Sequence, residues 1–119
     1  IKTAQQKGYQ LIITTDHGTI NLEQPSKIFG DRESSTNIRY KTGRRLKAEG
    51  KNVFEVTDPK SIGLPSINMS SSFVFAKDNY YLVYPSRYHH FVSYFKNTYQ
   101  HGGISLEEIC IPFAVFAPK

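Results

Sequence analysis

Cysteine occurs once in the 119 residues, at Cys110, so an internal disulfide is excluded. Its neighbours Ile109 and Ile111 predict a buried core thiol in a reducing compartment, which makes the expected location cytoplasmic. Long apolar runs are missing as well. None approaches the roughly 18–20 residues that cross a bilayer, and no pattern of basic start, apolar stretch and small-residue cleavage site opens the chain. Internal repeats and low-complexity tracts are absent. A composition that is 39% hydrophobic and 21% charged argues against the disordered and collagen-like classes. What is left is one small globular domain with no membrane partner. The first residue is Ile1 and not Met, and we expect the chain to be a piece of something longer.

Acids are short in one place only. Between residues 39 and 51 stand Arg39, Lys41, Arg44, Arg45, Lys47 and Lys51 against Glu49 alone, which accounts for the whole net charge of +5. Such a segment is either a contact for an anionic partner or a solvated loop, and no recognised nucleic-acid motif accompanies it.

The hydrophobic patterning predicts a mixed α/β chain. Residues 1–7 read as the end of a helix stopped by Gly8. Residues 9–15, "YQLIITT", are β-branched and nearly continuously apolar in the middle, the pattern of a strand buried on both faces of a parallel sheet. Short strands are expected over 19–22, 26–29 and 53–56. Residues 30–50 are polar and punctuated by glycine, and predict a long loop with one helical turn near 44–48. "SSFVFAK" and "YYLVYP" flank Asp78-Asn79 and predict a hairpin. Phe91, Tyr94 and Phe95 share one face of a helix expected over 88–97. Ser105 and Glu108 have the spacing of a capping box. A last strand is expected over 109–116, with Pro112 at its edge or outside the ladder.

Two stretches carry chemistry. In "LIITTDHG", residues 11–18, a carboxylate and an imidazole stand where a strand ends, and Gly18 permits the turn that lets Asp16 and His17 converge. An acid and a neutral imidazole suit a divalent metal; the same dipeptide also suits a turn cap beside a surface histidine. In "YQHGGISLEE", residues 99–108, His101 precedes two glycines that let the backbone pass close to a ligand. It reads as a further nitrogen donor to the same site or as a turn histidine.

Together, "TTDHG" after a buried strand and "QHGGISLEE" before the last strand resemble the PglZ domain of the alkaline phosphatase superfamily, a group of metal-dependent phosphohydrolases. "GDRESSTNIRYKTG" and "SFVFAKDNYYLVYP" are also similar to the PglZ-type output domains of PorX-type bacterial response regulators. The resemblance covers essentially residues 1–119. It implies the C-terminal portion of such a domain: a partial alkaline-phosphatase-like sheet with flanking helices and a β-hairpin, incomplete without an upstream part. It also implies a site of two divalent ions, usually zinc, with Asp16 and His17 on one ion and His101 on its neighbour. Two ions about 4 Å apart clamp the attacking and leaving oxygens of an in-line displacement at phosphorus. The family's nucleophile, a Thr or Ser that bridges the ions, and its remaining ligands lie upstream of the Asp-His motif. Thr14 and Thr15 do not match that nucleophile motif, so no catalytic nucleophile is expected within the chain.

The function this implies is that of a phosphodiesterase-like phosphohydrolase acting on nucleotides or oligonucleotides, as output domain of a two-component response regulator. The chain alone is expected to be inactive. Arg39 and Lys41 are expected to contact substrate phosphates and Tyr40 to stack on a base. The competing expectation is a non-catalytic anion- or nucleic-acid-binding module built on residues 39–51. Without the upstream part a sheet edge or apolar face is exposed, which invites a homodimer. Other polar residues have plainer readings. His89 and His90 are surface or packing residues, Asp31 and Glu33 flank Arg32 and steady the loop, and Glu107 and Glu108 sit favourably in a first helical turn.

Overall fold

The structure is a computed structural model that describes residues 1–31, 36–66 and 70–118. Its elements are α1 (Lys2–Gln6), β1 (Leu11–Thr14), β2 (Ile20–Asn21), β3 (Gln24–Phe29), β4 (Tyr40–Gly43), β5 (Lys47–Ala48) and β6 (Val53–Val56). After a 3-10 turn at Pro59–Ile62 come β7 (Ser72–Ala76), β8 (Tyr80–Val83), α2 (Tyr88–Phe95), β9 (Tyr99–Gln100), α3 (Leu106–Ile109) and β10 (Phe113–Phe116). The chain is a mixed α/β structure with small sheets and, among the described residues, three helices, which is consistent with a partial alkaline-phosphatase-like domain.

Two three-stranded sheets hold the core, in the orders β5-β3-β8 and β4-β7-β6. In β7 the two-residue period sends Phe73 and Phe75 to one face, against Val56, Tyr40 and Leu64. Val74 and Ala76 go to the other, against Ile28 and Leu82 of the neighbouring sheet. Both faces are buried, which explains why "SFVFA" shows no polar alternation. In β8, Leu82 joins that inter-sheet layer, while Tyr81 and Val83 turn outward to Ile20, Leu22 and Ile38 under Tyr88 and Phe95 of α2. The Tyr81 hydroxyl donates to the Val92 carbonyl at 2.9 Å, so the buried phenol is satisfied.

Several expectations need correcting. The segments around Asp78-Asn79 do not form a hairpin. The turn is there, but β7 is paired on both edges, by β4 and β6, and has no free edge for β8, which pairs parallel to β3 instead. The segment 30–50 is not a loop with a helical turn: among its described residues it forms β4 and β5, and Arg32 and Glu33 lie outside the described residues. Cys110 is exposed and not a core thiol.

The largest departure concerns β1. It runs antiparallel to β10, with Ile12 opposite Val115 and Ile13 opposite Ala114, in a separate two-stranded ribbon. That ribbon is not buried: Ile12 is 53% exposed, Ile13 46% and Phe113 66%. The residues are those of a two-sided core strand, but among the described residues no layer covers either face. The radius of gyration, 18.6 Å, is correspondingly large, against about 13–14 Å for a compact chain of this length. Among the described residues no helix is long and apolar enough to cross a membrane.

Candidate metal centre

The short ribbon β2–β9 builds the corner. Ile20 pairs with Gln100 and Asn21 with Tyr99 in antiparallel register, so the chain entering β2 and the chain leaving β9 run side by side. His17 precedes β2 and His101 follows β9. Their rings stack with centroids 3.6 Å apart and planes 12° from parallel. Asp16 Oδ1 lies 3.6 Å from His17 Nε2. The structure thus brings Asp16, His17 and His101 to one corner.

His17 Nδ1 lies 2.9 Å from the Gly18 carbonyl oxygen. A carbonyl only accepts, so Nδ1 is the donor in that contact, and Nε2 is the ring nitrogen that faces Asp16. A metal-binding histidine is usually fixed in this way. Two donors on a tetrahedral zinc, at bond lengths of about 2.0–2.2 Å, stand roughly 3.4 Å apart, and the Asp16–His17 pair comes close to that spacing. Parallel rings, however, cannot aim their in-plane lone pairs at one point. Among the described residues no three His, Cys, Asp or Glu side chains are grouped to hold a single ion. Asp16 and His17 are spaced as two donors of one ion would be, and the stacked His101 ring is not aimed at the same point.

Behind the corner lies a buried ion pair that the sequence did not reveal. Arg39 Nε donates to Glu108 Oε1 at 2.9 Å and a terminal nitrogen donates to Oε2 at 2.9 Å. A further guanidinium hydrogen bond goes to the Tyr80 carbonyl. Arg39 is 0% exposed and Glu108 5%. The same carboxylate accepts the Gly103 amide at 2.9 Å, the Ser105 amide at 3.2 Å and the Ser105 hydroxyl at 2.8 Å, which completes the capping box of α3. The Glu108 carbonyl accepts the Gly18 amide at 2.9 Å. Asn37 donates to the His101 carbonyl at 3.1 Å while its own oxygen accepts the Arg39 amide at 2.7 Å. Each histidine loop is therefore tied to the Arg39–Glu108 unit, within which burial acts to raise the Glu108 carboxyl. The hydrogen bonds from Arg39, Ser105 and Gly103, with the charge of Arg39, outweigh burial and hold it below the ordinary carboxylate range.

The glycines serve this packing. A Cβ on Gly18 would overlap the Glu107 carbonyl oxygen and lie 2.9 Å from that of Cys110. Gly102 has φ +102° and passes against the Asn37 amide, and a Cβ on Gly103 would stand 3.0 Å from Arg39 Nε. Close approach to protein, rather than to a ligand, explains "HGG".

Arg39 is not placed to meet a substrate, because its guanidinium is enclosed and already bonded. Lys41 is buried too, with Nζ 5.4 Å from the Tyr84 ring centre, and desolvation lowers its pKa to about 8. Tyr40 packs on Phe73 and Phe75, with ring centroids 6.5 and 5.9 Å away. Glu108 has more than a helix-terminal role. The capping-box spacing marked it, but nothing in the sequence said that its partner would be Arg39.

The chain belongs to the PglZ family: the model for the BREX system PglZ alkaline phosphatase-like domain matches residues 1–116. No curated protein matches it. The family places the chain among alkaline phosphatase-like domains, whose superfamily is typically metal-dependent.

Proposed function

We propose that the chain supplies one corner of the two-metal centre of a phosphodiesterase-like phosphohydrolase. The stacked His17–His101 pair with Asp16 at its side carries this reading. Asp16 and His17 would hold one divalent ion and His101 the next. Bound there, such ions would polarise a phosphoryl oxygen and neutralise developing charge. The chain's own residues orient donors: the Gly18 carbonyl accepts from His17 Nδ1, and Asn37 and Glu108 tie the two histidine loops in place. Zinc, a nucleotide or oligonucleotide substrate and an output role in a two-component response regulator are the finer content we attach on the strength of the resemblance.

The uncovered β1–β10 ribbon supports reading residues 1–119 as the C-terminal portion of the domain, with further strands of the same polypeptide covering it. The reading as an anion-binding module loses two of its residues, since Arg39 and Lys41 are buried. The test is turnover of bis(p-nitrophenyl) phosphate. In the whole protein His17→Ala and His101→Ala should each abolish it, and residues 1–119 alone should show none. Unchanged turnover in the two variants, or robust turnover by residues 1–119, overturns the proposal.

A further inference from the structure

A second surface is built around the β3–β8 pair, the one parallel strand pair among the described residues. Lys27 and Phe29 lie two residues apart on one face of β3, and β8 runs beside them into Pro85, Arg87 and α2. Ligands of open α/β sheets bind beyond the carboxyl ends of parallel strands. There the structure has a cleft of about 460 Å³ lined by Lys27, Phe29, Pro85, Arg87, Tyr88 and the histidines 89 and 90. It shares no lining residue with the His17–His101 corner.

Its chemistry is one-sided. Lys27 and Arg87 are basic, and among the described residues no carboxylate lines the cleft and no acid stands in the first turn of α2. Lys47, exposed on β5, is the cross-strand partner of Phe29 and projects to the same face. A competing charge, Glu49, lies 3.7 Å from Lys27 Nζ, in a pair with both side chains substantially exposed and therefore readily exchanged. Apolar surface sits beside the cations. Phe29 is 45% exposed, and the Tyr88 ring lies 5.1 Å from Lys27 Nζ. Arg and Lys side by side bind phosphoryl oxygens as fork and point charge, and an exposed aromatic ring offers a face for stacking.

We propose that this cleft is a binding site for a small organic phosphate, with the phosphate between Lys27 and Arg87 and an aromatic portion on Phe29. The proposal does not depend on the hydrolase reading. Phenylphosphonate is the probe, since its phosphorus–carbon bond resists hydrolysis, with methylphosphonate and phenol as partial probes. The purified protein is kept metal-free with a chelator, and the ring resonances of the histidines 89 and 90 are followed by NMR. Phenylphosphonate should shift both and bind more tightly than methylphosphonate, and phenol should not bind. Lys27→Ala and Arg87→Ala should each weaken phenylphosphonate about ten-fold, as expected for one charge-assisted contact. Phe29→Ala should remove the advantage over methylphosphonate. The double variant His17→Ala, His101→Ala should bind as the parent does. Binding that survives both Lys27→Ala and Arg87→Ala, or that vanishes in the histidine double variant, overturns the proposal.

Discussion

Arg39 and Glu108, 69 positions apart in the chain, meet in the interior as a bidentate pair with both Nε and a terminal nitrogen at 2.9 Å. The pair joins the loop that carries His101 to the helix that carries the Gly18 contact. Removing one partner strands the other as an uncompensated buried charge, at a cost of about 3–5 kcal/mol. Arg39→Ala and Glu108→Ala should each lower unfolding free energy in urea by that amount. Arg39→Lys keeps the charge but loses the fork, and should still be clearly destabilised. A loss below about 1 kcal/mol in either alanine variant shows that the pair contributes no more than a surface contact.

Acid should act through the same carboxylate. The folded pKa of Glu108 lies below its unfolded value. Its stabilising contribution is therefore complete above the ordinary carboxylate range and is lost as pH falls through the depressed value. Melting temperature should drop on acidification across that window. In Glu108→Gln the starting stability should be lower and the drop shallower. Parallel acid limbs in parent and variant would remove Glu108 from the account.

Lys41 works in the opposite limb. Its pKa falls from 10.5 to about 8 because burial penalises the charge. Between those values the unfolded chain binds more protons than the folded one, so stability should rise with pH from about 8. Tyr81 opposes this above 10.0, because burial and neighbouring Tyr88 raise its phenol and favour the neutral form. Between about pH 8 and 10, the ordinary tyrosine value, Lys41→Met should flatten the rise. The check is chemical denaturation at half-unit steps of pH.

Gly18 tests the packing of the Asp16–His17 loop. Gly18→Ala drives a methyl group into the Glu107 carbonyl of α3 and against that of Cys110 just after it. The loop must shift, the His17–His101 stack must open, and the two rings should lose their mutual ring-current shifts in NMR spectra. Gly8, whose Cβ position is open but whose φ is +79°, is the control: Gly8→Ala strains α1 and leaves the stack intact.

Much of the local structure was legible in the sequence, for reasons visible in particular residues. Gly8 ends α1, Ser105 and Glu108 cap α3, and Pro112 keeps β10 from starting before Phe113. These are signals within a few residues, and local geometry decides them. The misreadings were of partnership. "SFVFA" and "YYLV" are good strands on either side of a good turn, but which sheet each joins depended on β4 and β6 claiming both edges of β7. β4 itself was hidden because Arg39 and Lys41 look solvated in a row of letters and are buried in the fold. The Asp16–His17 and His101 stretches were recognisable by residue type, and their adjacency follows from the β2–β9 pairing, only two residues per strand, which no periodicity can announce. β1 was read as a strand with buried faces; the strand is there, and its exposure is a fact about its neighbours, not about its residues.

The metal-binding claim has one direct test. The purified protein is titrated with zinc while the imidazole nitrogens of all four histidines are followed by NMR. The account predicts that His17 Nε2 and the His101 ring shift together, that Asp16→Ala weakens the response of His17, and that the histidines 89 and 90 stay in place. Zinc that moves those two and leaves His17 and His101 unmoved would contradict it.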